Sequence, residues 1–325
     1  MSKRAAVFWF YWERFGILAI LAVALAVFSW LTPSILTVGN LLTVVSRSAI
    51  VGIPALGMTY AICSGGFDLS VGSIVGLSTC IWASMLPVLG MVQASLLTLA
   101  CGAVCGLLNG LAITKLKIQT FVATLAMGMI FRGAALVYTD GSKQMINRST
   151  NIEAKLFSQN YTVLGQQIQF APVVMMALVY ALGYLIYRYT RFGVYVRGAG
   201  SNQASARTTG LPVDASLIAV FVITGVTASM SSLITASQLM QGAATLGTGF
   251  ELEVITATIL GGTPLTGGKG NIWGSLVAAL LLTLTRAGLN MLGLKDEHQR
   301  LAIGLILLLA LTVSGVQELM KEAGR

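Results

Sequence analysis

The stretch SGGFDLSVGS (64–73) carries the chemistry that first stands out in this chain. Asp68 sits two residues before Ser70, between apolar runs, with Ser64 and Ser73 close by. An acid or hydroxyl at a helix start accepts hydrogen bonds from free backbone amides, and negative charge suits that end. Asp68 or Ser70 is therefore expected to cap a helix opening near residue 71, after a turn made by the glycine pair. The same groups, with Asn109 further along, offer neutral donors and acceptors of the kind a sugar needs. Taken singly, such residues more often bond one helix to another. Catalytic constellations are absent from the sequence. His298 is the only histidine, and Cys63, Cys80, Cys101 and Cys105 all fall in apolar runs without the acids or histidines of a metal site. TPLTGGKG (263–270) approaches a phosphate-binding loop but has Thr263 for the first glycine and Gly270 for the final Ser or Thr. Acids within the apolar runs are too few for a proton relay.

The elements that position these residues are membrane spans. The chain has 325 residues, 56% hydrophobic and 10% charged, against about a quarter charged in an ordinary soluble domain. Ten apolar runs are expected to cross or enter a bilayer: 15–31, 42–63, 71–89, 92–113, 119–137, 171–188, 215–235, 253–263, 272–293 and 300–316. The fold class is thus an all-α polytopic membrane protein of about ten transmembrane helices, expected as one transmembrane domain over 1–325. The first run lacks a small-residue cleavage site and reads as an uncleaved span. The eighth is too short to cross alone and leads into GGTPLTGGKGN (261–271), which marks a broken helix. Pro54 is expected to kink the second span. The net charge of +9 reflects basic loops on one membrane side rather than nucleic-acid binding. With both termini cytoplasmic, twelve Lys and Arg lie inside and six outside. A polar outer loop covers 138–170. A basic inner segment covers 189–214, and two readings stand for it: a short amphipathic surface helix over about 202–208, or a solvated connector. GGFDLSV (65–71) and TGFELEV (248–254) echo each other at the third and eighth spans, one starting inside and the other outside. That pattern predicts an inverted repeat of spans 2–5 and 7–10, with Glu251 the partner of Asp68 as helix cap.

SGGFDLSVGSIVGLS (64–78), ATLAMGMIFRGAALVYTDGS (123–142), GTGFELEVITATILGGTPLTGGKGNIWGSLVAALLL (247–282) and LNMLGL (289–294) resemble motifs of the permease subunits of bacterial ABC sugar importers, ribose-type, in the branched-chain-amino-acid/ribose permease superfamily. The likeness runs from about residue 35 to 315. It implies about ten helices and pairing with a second permease, identical or related. It also implies a cytoplasmic ABC ATPase that binds the ATP and magnesium, a periplasmic sugar-binding protein, and an inner-membrane location. The chain itself is then expected to hold no cofactor or metal and to catalyse no reaction. GSNQASARTTGLPV (200–213) occupies the place of the family's coupling loop, so Arg197, Asn202, Gln203, Arg207 and Gly210 are the expected ATPase-coupling residues. Gln203 stands where Glu is usual and Ser205 where Ala is usual, while Gly210 is kept. Arg286 is unusual at a position expected to be neutral.

The expected function is the membrane subunit of an importer moving a pentose or hexose from periplasm to cytoplasm. Ser64, Asp68, Ser70, Ser73 and Asn109 are then the candidate pathway residues. The alternative is an ion-coupled secondary sugar transporter, which needs intramembrane acids and no basic docking loop. A membrane-embedded enzyme is disfavoured by the missing catalytic clusters.

Overall fold

The computed structural model describes residues 3–147, 151–163 and 165–322. Residues 148–150 and 164 of the expected outer loop lie outside it. Eleven α-helices follow in chain order: α1 (Lys3–Leu31), α2 (Val38–Cys63), α3 (Val71–Thr114), α4 (Thr120–Thr139), α5 (Phe170–Tyr189), α6 (Arg191–Ser201), α7 (Gln203–Thr208), α8 (Val213–Leu239), α9 (Phe250–Leu260), α10 (Ile272–Met291) and α11 (Asp296–Glu322). Six of them, α2, α3, α4, α5, α8 and α10, are long and apolar enough to cross a membrane. Each expected span overlaps a helix, with 71–89 and 92–113 sharing α3, and 15–31 and 300–316 lying within the longer α1 and α11. The chain is a polytopic helical membrane protein. Four short strands qualify the all-α expectation. In the 138–170 loop, β2 (Asn160–Val163) and β3 (Gln166–Gln169) form a hairpin, and β1 (Gln144–Met145) pairs antiparallel with β4 (Gln241–Gly242). Outside the helices, backbone amides and carbonyls still need partners, and strand pairing supplies them.

Helix α3 is two spans joined by a sharp reversal. Its 44 residues would extend about 66 Å if straight, twice the hydrocarbon thickness. Gly90 leaves the helical conformation at φ 77°, ψ 173°. Beyond it the chain folds back, so that Trp82 Nε1 donates to Ser95 Oγ at 3.2 Å. At the far end of the same hairpin, Asn109 Nδ2 donates to Ser70 Oγ at 2.7 Å.

The returning arm of α3 packs tightly on α8. Gly102, Gly106 and Gly110 recur every fourth residue along the contact. A Cβ at Gly106 would meet the carbonyl of Phe221, and one at Gly225 that of Gly102. Small residues at this spacing let two backbones approach in lipid, where burial of apolar surface offers no drive for association. Helix α8 also packs on α2. Pro54, where a kink is expected, lies inside α2, which is helical on both sides of it. Proline leaves the carbonyl four residues back without its donor. Ser231 Oγ of α8 donates to that carbonyl, Ile50 O, at 2.7 Å, so a neighbouring helix restores the lost bond. The largest apolar core draws on α2, α3, α4, α5, α6, α8, α9 and α10. Leucines such as Leu107, Leu108, Leu182 and Leu185 face outward, as a lipid-facing surface requires.

Candidate functional site

Two non-helical segments turn back into the bundle from opposite ends. The first is 64–70. Gly65, at φ 87°, lies against Gly200 at the end of α6. From there the chain returns inward until Asp68 Oδ2 accepts from Thr224 Oγ1 at 2.6 Å. Thr224 is eleven residues into α8, about 16 Å along the helix. Asp68 Oδ1 accepts from Ser70 N at 2.9 Å, Ser70 Oγ at 2.6 Å and Asn109 Nδ2 at 3.4 Å. Thr124 Oγ1 of α4 accepts from Leu69 N at 3.1 Å. Irregular backbone at this depth has no water to satisfy it, and these side chains do so instead. Asp68 is fully buried.

The second segment follows α8 and runs antiparallel along the first arm of α3. Gly242 packs on Thr79, Ala244 and Leu246 pass Gly76, and Gly247 packs on Gly72. Arg132 of α4 pins it, donating to the carbonyls of Ala244 and Leu246. Helix α9 then starts at Phe250 and runs toward the α6 end, where Thr258 Oγ1 lies 3.3 Å from Ala55 O. Helices α3 and α9 thus point away from each other, and their N-terminal ends meet inside the bundle. Two positive helix ends face each other there. The compensating acids come from the chain: Asp68 beside the start of α3, and Glu251 with its carboxylate against Gly72.

The expected cap at Glu251 needs correction. Gly249, at φ 78°, holds the N-cap position of α9 without a side-chain cap bond. Glu251 lies in the first turn, where charge rather than capping geometry is its contribution. At the start of α3 the N-cap position is Ser70, and no side chain closes a cap bond there. Asp68 takes the Ser70 amide instead. Further along α9, Glu253 Oε2 pairs with Arg286 of α10 at 2.7 Å, the Glu253 side chain 5% and the Arg286 side chain 42% exposed. This pairing accounts for the unusual arginine.

The five candidate pathway residues all lie inside the protein. Ser64, Asp68, Ser70, Ser73 and Asn109 are all 8% exposed or less. Asp68, Ser70 and Asn109 bond one another, Ser64 Oγ donates back to Ala61 O at 2.8 Å, and Ser73 Oγ faces Gly128. All five are thus enclosed in this conformation, with most of their polar groups engaged within the protein, while Asn109 Oδ1 is buried without a partner. Their neighbours Thr224, Thr124 and Arg132 were not singled out as site residues. An arginine inside an apolar run is a signal that could have flagged Arg132; the two threonines carry no such mark.

The inner segment folds into α6 and α7. Asn202 Oδ1 accepts from Ser205 N at 2.9 Å and so caps α7; Gly210, at φ 79°, ends the turn after it. Ala206 is buried with Ala199, Val213 and Leu217, while Gln203 is exposed. Both arginines are engaged within the chain. Arg207 pairs with Asp214 at 2.5 Å. Arg197 donates to Tyr187 O at 2.8 Å and lies 4.8 Å over the Tyr187 ring. Gly200 is wedged between Cys63 O and the turn after α9, whose Gly268 N donates to Cys63 O at 2.8 Å. Tyr187 Oη accepts from Gly270 N at 2.8 Å. The α6 end therefore touches both the 64–70 return and the 261–271 turn, backbone against backbone.

Broken helices whose ends meet inside a bundle are an architecture that membrane transporters use. Residues 40–311 match the family described as the branched-chain amino acid transport system / permease component, and the chain belongs to this family. It is a transport subunit. The ribose import permease protein RbsC of Escherichia coli (strain K12) is 35% identical over 308 residues, covering 94% of each chain. RbsC of Bacillus subtilis (strain 168) is 35% identical over 300 residues, 92% of this chain and 91% of that one. The D-allose transport system permease protein AlsC of E. coli is 28% identical over 318 residues, 96% and 94%. No solved structure gives a significant match.

Proposed function

We propose that this chain is the permease subunit of an ABC importer that moves a monosaccharide, pentose or hexose, across a bacterial inner membrane. The family match across residues 40–311, with relatives named for ribose and allose, is the observation that carries it. The site chemistry agrees. The positive helix ends inside the bundle are already offset by Asp68 and Glu251, which leaves no call for a charged cargo.

In this reading the whole chain is one transmembrane domain of about ten spans, with α3 counted twice and α9 a half-span. Helices α2 to α4 and α8 to α11 are inverted repeats, and 64–70 and 240–249 are their equivalent returns from opposite sides. Both termini are cytoplasmic, so α6 and α7 face the cytoplasm and the β strands the periplasm. A separate ATPase holds ATP and magnesium and docks at α7, with Gln203 and the 202–210 turn at the contact and Arg197 fixing α6 to α5. A periplasmic sugar-binding protein delivers the cargo, and a second permease completes the pathway. Closure of the ATPase moves α6, and the Gly200 junction passes that motion to both inner turns, which drives alternating access. Asp68, Ser70 and Asn109 hold the return in place rather than touch sugar.

Reconstitution in proteoliposomes with the candidate ATPase and binding protein tests this. D-Ribose, D-allose or D-fructose uptake should need ATP hydrolysis and the binding protein. Uptake driven by an ion gradient without ATP would establish the secondary-transporter alternative.

A further inference from the structure

At the end of the bundle carrying the strands lies a cavity of about 320 Å³ lined by Arg47, Lys155, Ser158, Gln169, Ser237 and Gln238, with Met240. Its volume falls within the range of small-molecule sites, about 300–1,000 Å³. Four elements supply it: Arg47 comes from α2, Gln169 from β3, Ser237 and Gln238 from the last turn of α8, and Lys155 and Ser158 from the loop before β2.

Part of this lining is a fixed frame. Gln238 Nε2 donates to Gln169 Oε1 at 3.0 Å, and Ser237 Oγ lies 2.5 Å from Ala154 O and 3.2 Å from Ser158 Oγ. Ser46 Oγ, next to Arg47, is 3.2 Å from Gln169 O. Groups held this way are positioned before a ligand arrives. The rest is uncommitted. Among the described residues neither Arg47 nor Lys155 forms a salt bridge, and neither side chain makes a hydrogen bond, although the Lys155 carbonyl accepts from Ser158 N and Oγ. No carboxylate contributes to the lining.

The free capacity is mixed. Arg47 and Lys155 donate, while Gln238 Oε1 and the serine oxygens accept. A metal ion is disfavoured by the two positive charges. An inorganic anion would use only the donors. A molecule with several adjacent hydroxyls both accepts and donates, and it matches both halves. We infer that this cavity is an entry subsite for the transported sugar, where hydroxyls accept from Arg47 and Lys155 and donate to Gln238. The inference rests on the importer reading above, and adds to it a place where cargo is held within one permease before it reaches the path between two.

The test uses the reconstituted full complex with Arg47→Ala and Gln238→Ala, each a partly or fully exposed position. ATP-driven uptake of D-ribose, D-allose and D-fructose is measured beside the affinity of the loaded binding protein for the permease. Each variant should lower uptake about tenfold, the scale of one lost hydrogen bond to a charged or buried partner. Affinity for the binding protein should stay within about twofold of wild type. Unchanged uptake in both variants overturns the subsite. So does a parallel loss of binding-protein affinity, which would make the cavity a docking surface for an acidic protein side chain. A wild-type complex that takes up none of the three sugars with ATP refutes the importer reading beneath it.

Discussion

Replacing Thr224 with valine keeps the shape of the side chain and removes the one hydroxyl that reaches Asp68 Oδ2. The other bonds to this carboxyl all fall on Oδ1. With Asp68 at zero exposure, no water can replace the lost donor. Hydrogen bonds to charged groups contribute about 1.5–3 kcal/mol, and a buried acceptor left bare costs a similar amount. Thr224→Val should therefore destabilise the fold by about 2 kcal/mol, roughly a thirtyfold shift in the folding equilibrium. Unfolding in mixed micelles, followed by a near-ultraviolet signal from Trp82, reads this directly. Thr224→Ser retains the hydroxyl and should recover most of the loss. In a double-mutant cycle, Asp68→Asn and Thr224→Val should couple by more than about 0.5 kcal/mol. A valine variant within about 0.3 kcal/mol of wild type, or a serine variant as damaged as valine, would refute the reasoning. The first result would make the bond energetically idle; the second would assign the effect to the methyl group.

Arg286→Ala leaves the Glu253 carboxylate buried without its partner and should cost about 2 kcal/mol, below the range for fully buried pairs because Arg286 is half-exposed. Adding Glu253→Gln should restore most of it in the same unfolding assay. Gly200→Ala places a Cβ onto Cys63 O and should uncouple the complex: ATP hydrolysis continues while sugar uptake falls at least tenfold, and normal coupling would remove the junction from the mechanism. Gly106→Val forces α3 and α8 apart and should abolish accumulation of folded protein, measured by size-exclusion of the solubilised chain. Arg207→Ala breaks only a solvent-exposed pair and should change stability by less than about 1 kcal/mol, so a larger loss would point to a role for Arg207 beyond Asp214.

The spans were readable because length and apolarity are local properties. Even the reversal inside α3 showed itself, as a boundary between the runs ending at 89 and starting at 92. The returns were half readable. Gly-Phe-acid-Leu marked where α3 and α9 begin, because a turn before a helix start leaves glycine and an acid in the chain. What closes them was not readable. Thr224 lies 156 residues from Asp68 and looks like any threonine in an apolar run, where most hydroxyls bond their own helix. The enclosure of the pathway candidates was unreadable for the same reason. Hydroxyls in a span signal that something polar needs a partner, but not whether it is cargo or backbone. Arg286 stood out by charge, yet only packing reveals Glu253 as its counter-ion. Tyr187 and Arg197 show the converse: a basic residue in a cytoplasmic-type loop reads as a docking charge until its guanidinium is found over a ring of its own chain.

The Glu253–Arg286 pair also bears on how the protein is made. Helix α9 has eleven residues, about 16 Å of length, half of what a bilayer core requires. Leaving the ribosome first, it cannot settle alone in lipid, because one end and the Glu253 carboxylate would sit in hydrocarbon. Its partner Arg286 is synthesised 33 residues later. An α9 at bilayer depth is therefore expected to settle only against packing partners: α2 and α3, made before it, and α10, which brings Arg286. A helix of this length carrying a buried acid owes its place to neighbours on both sides of it in the sequence.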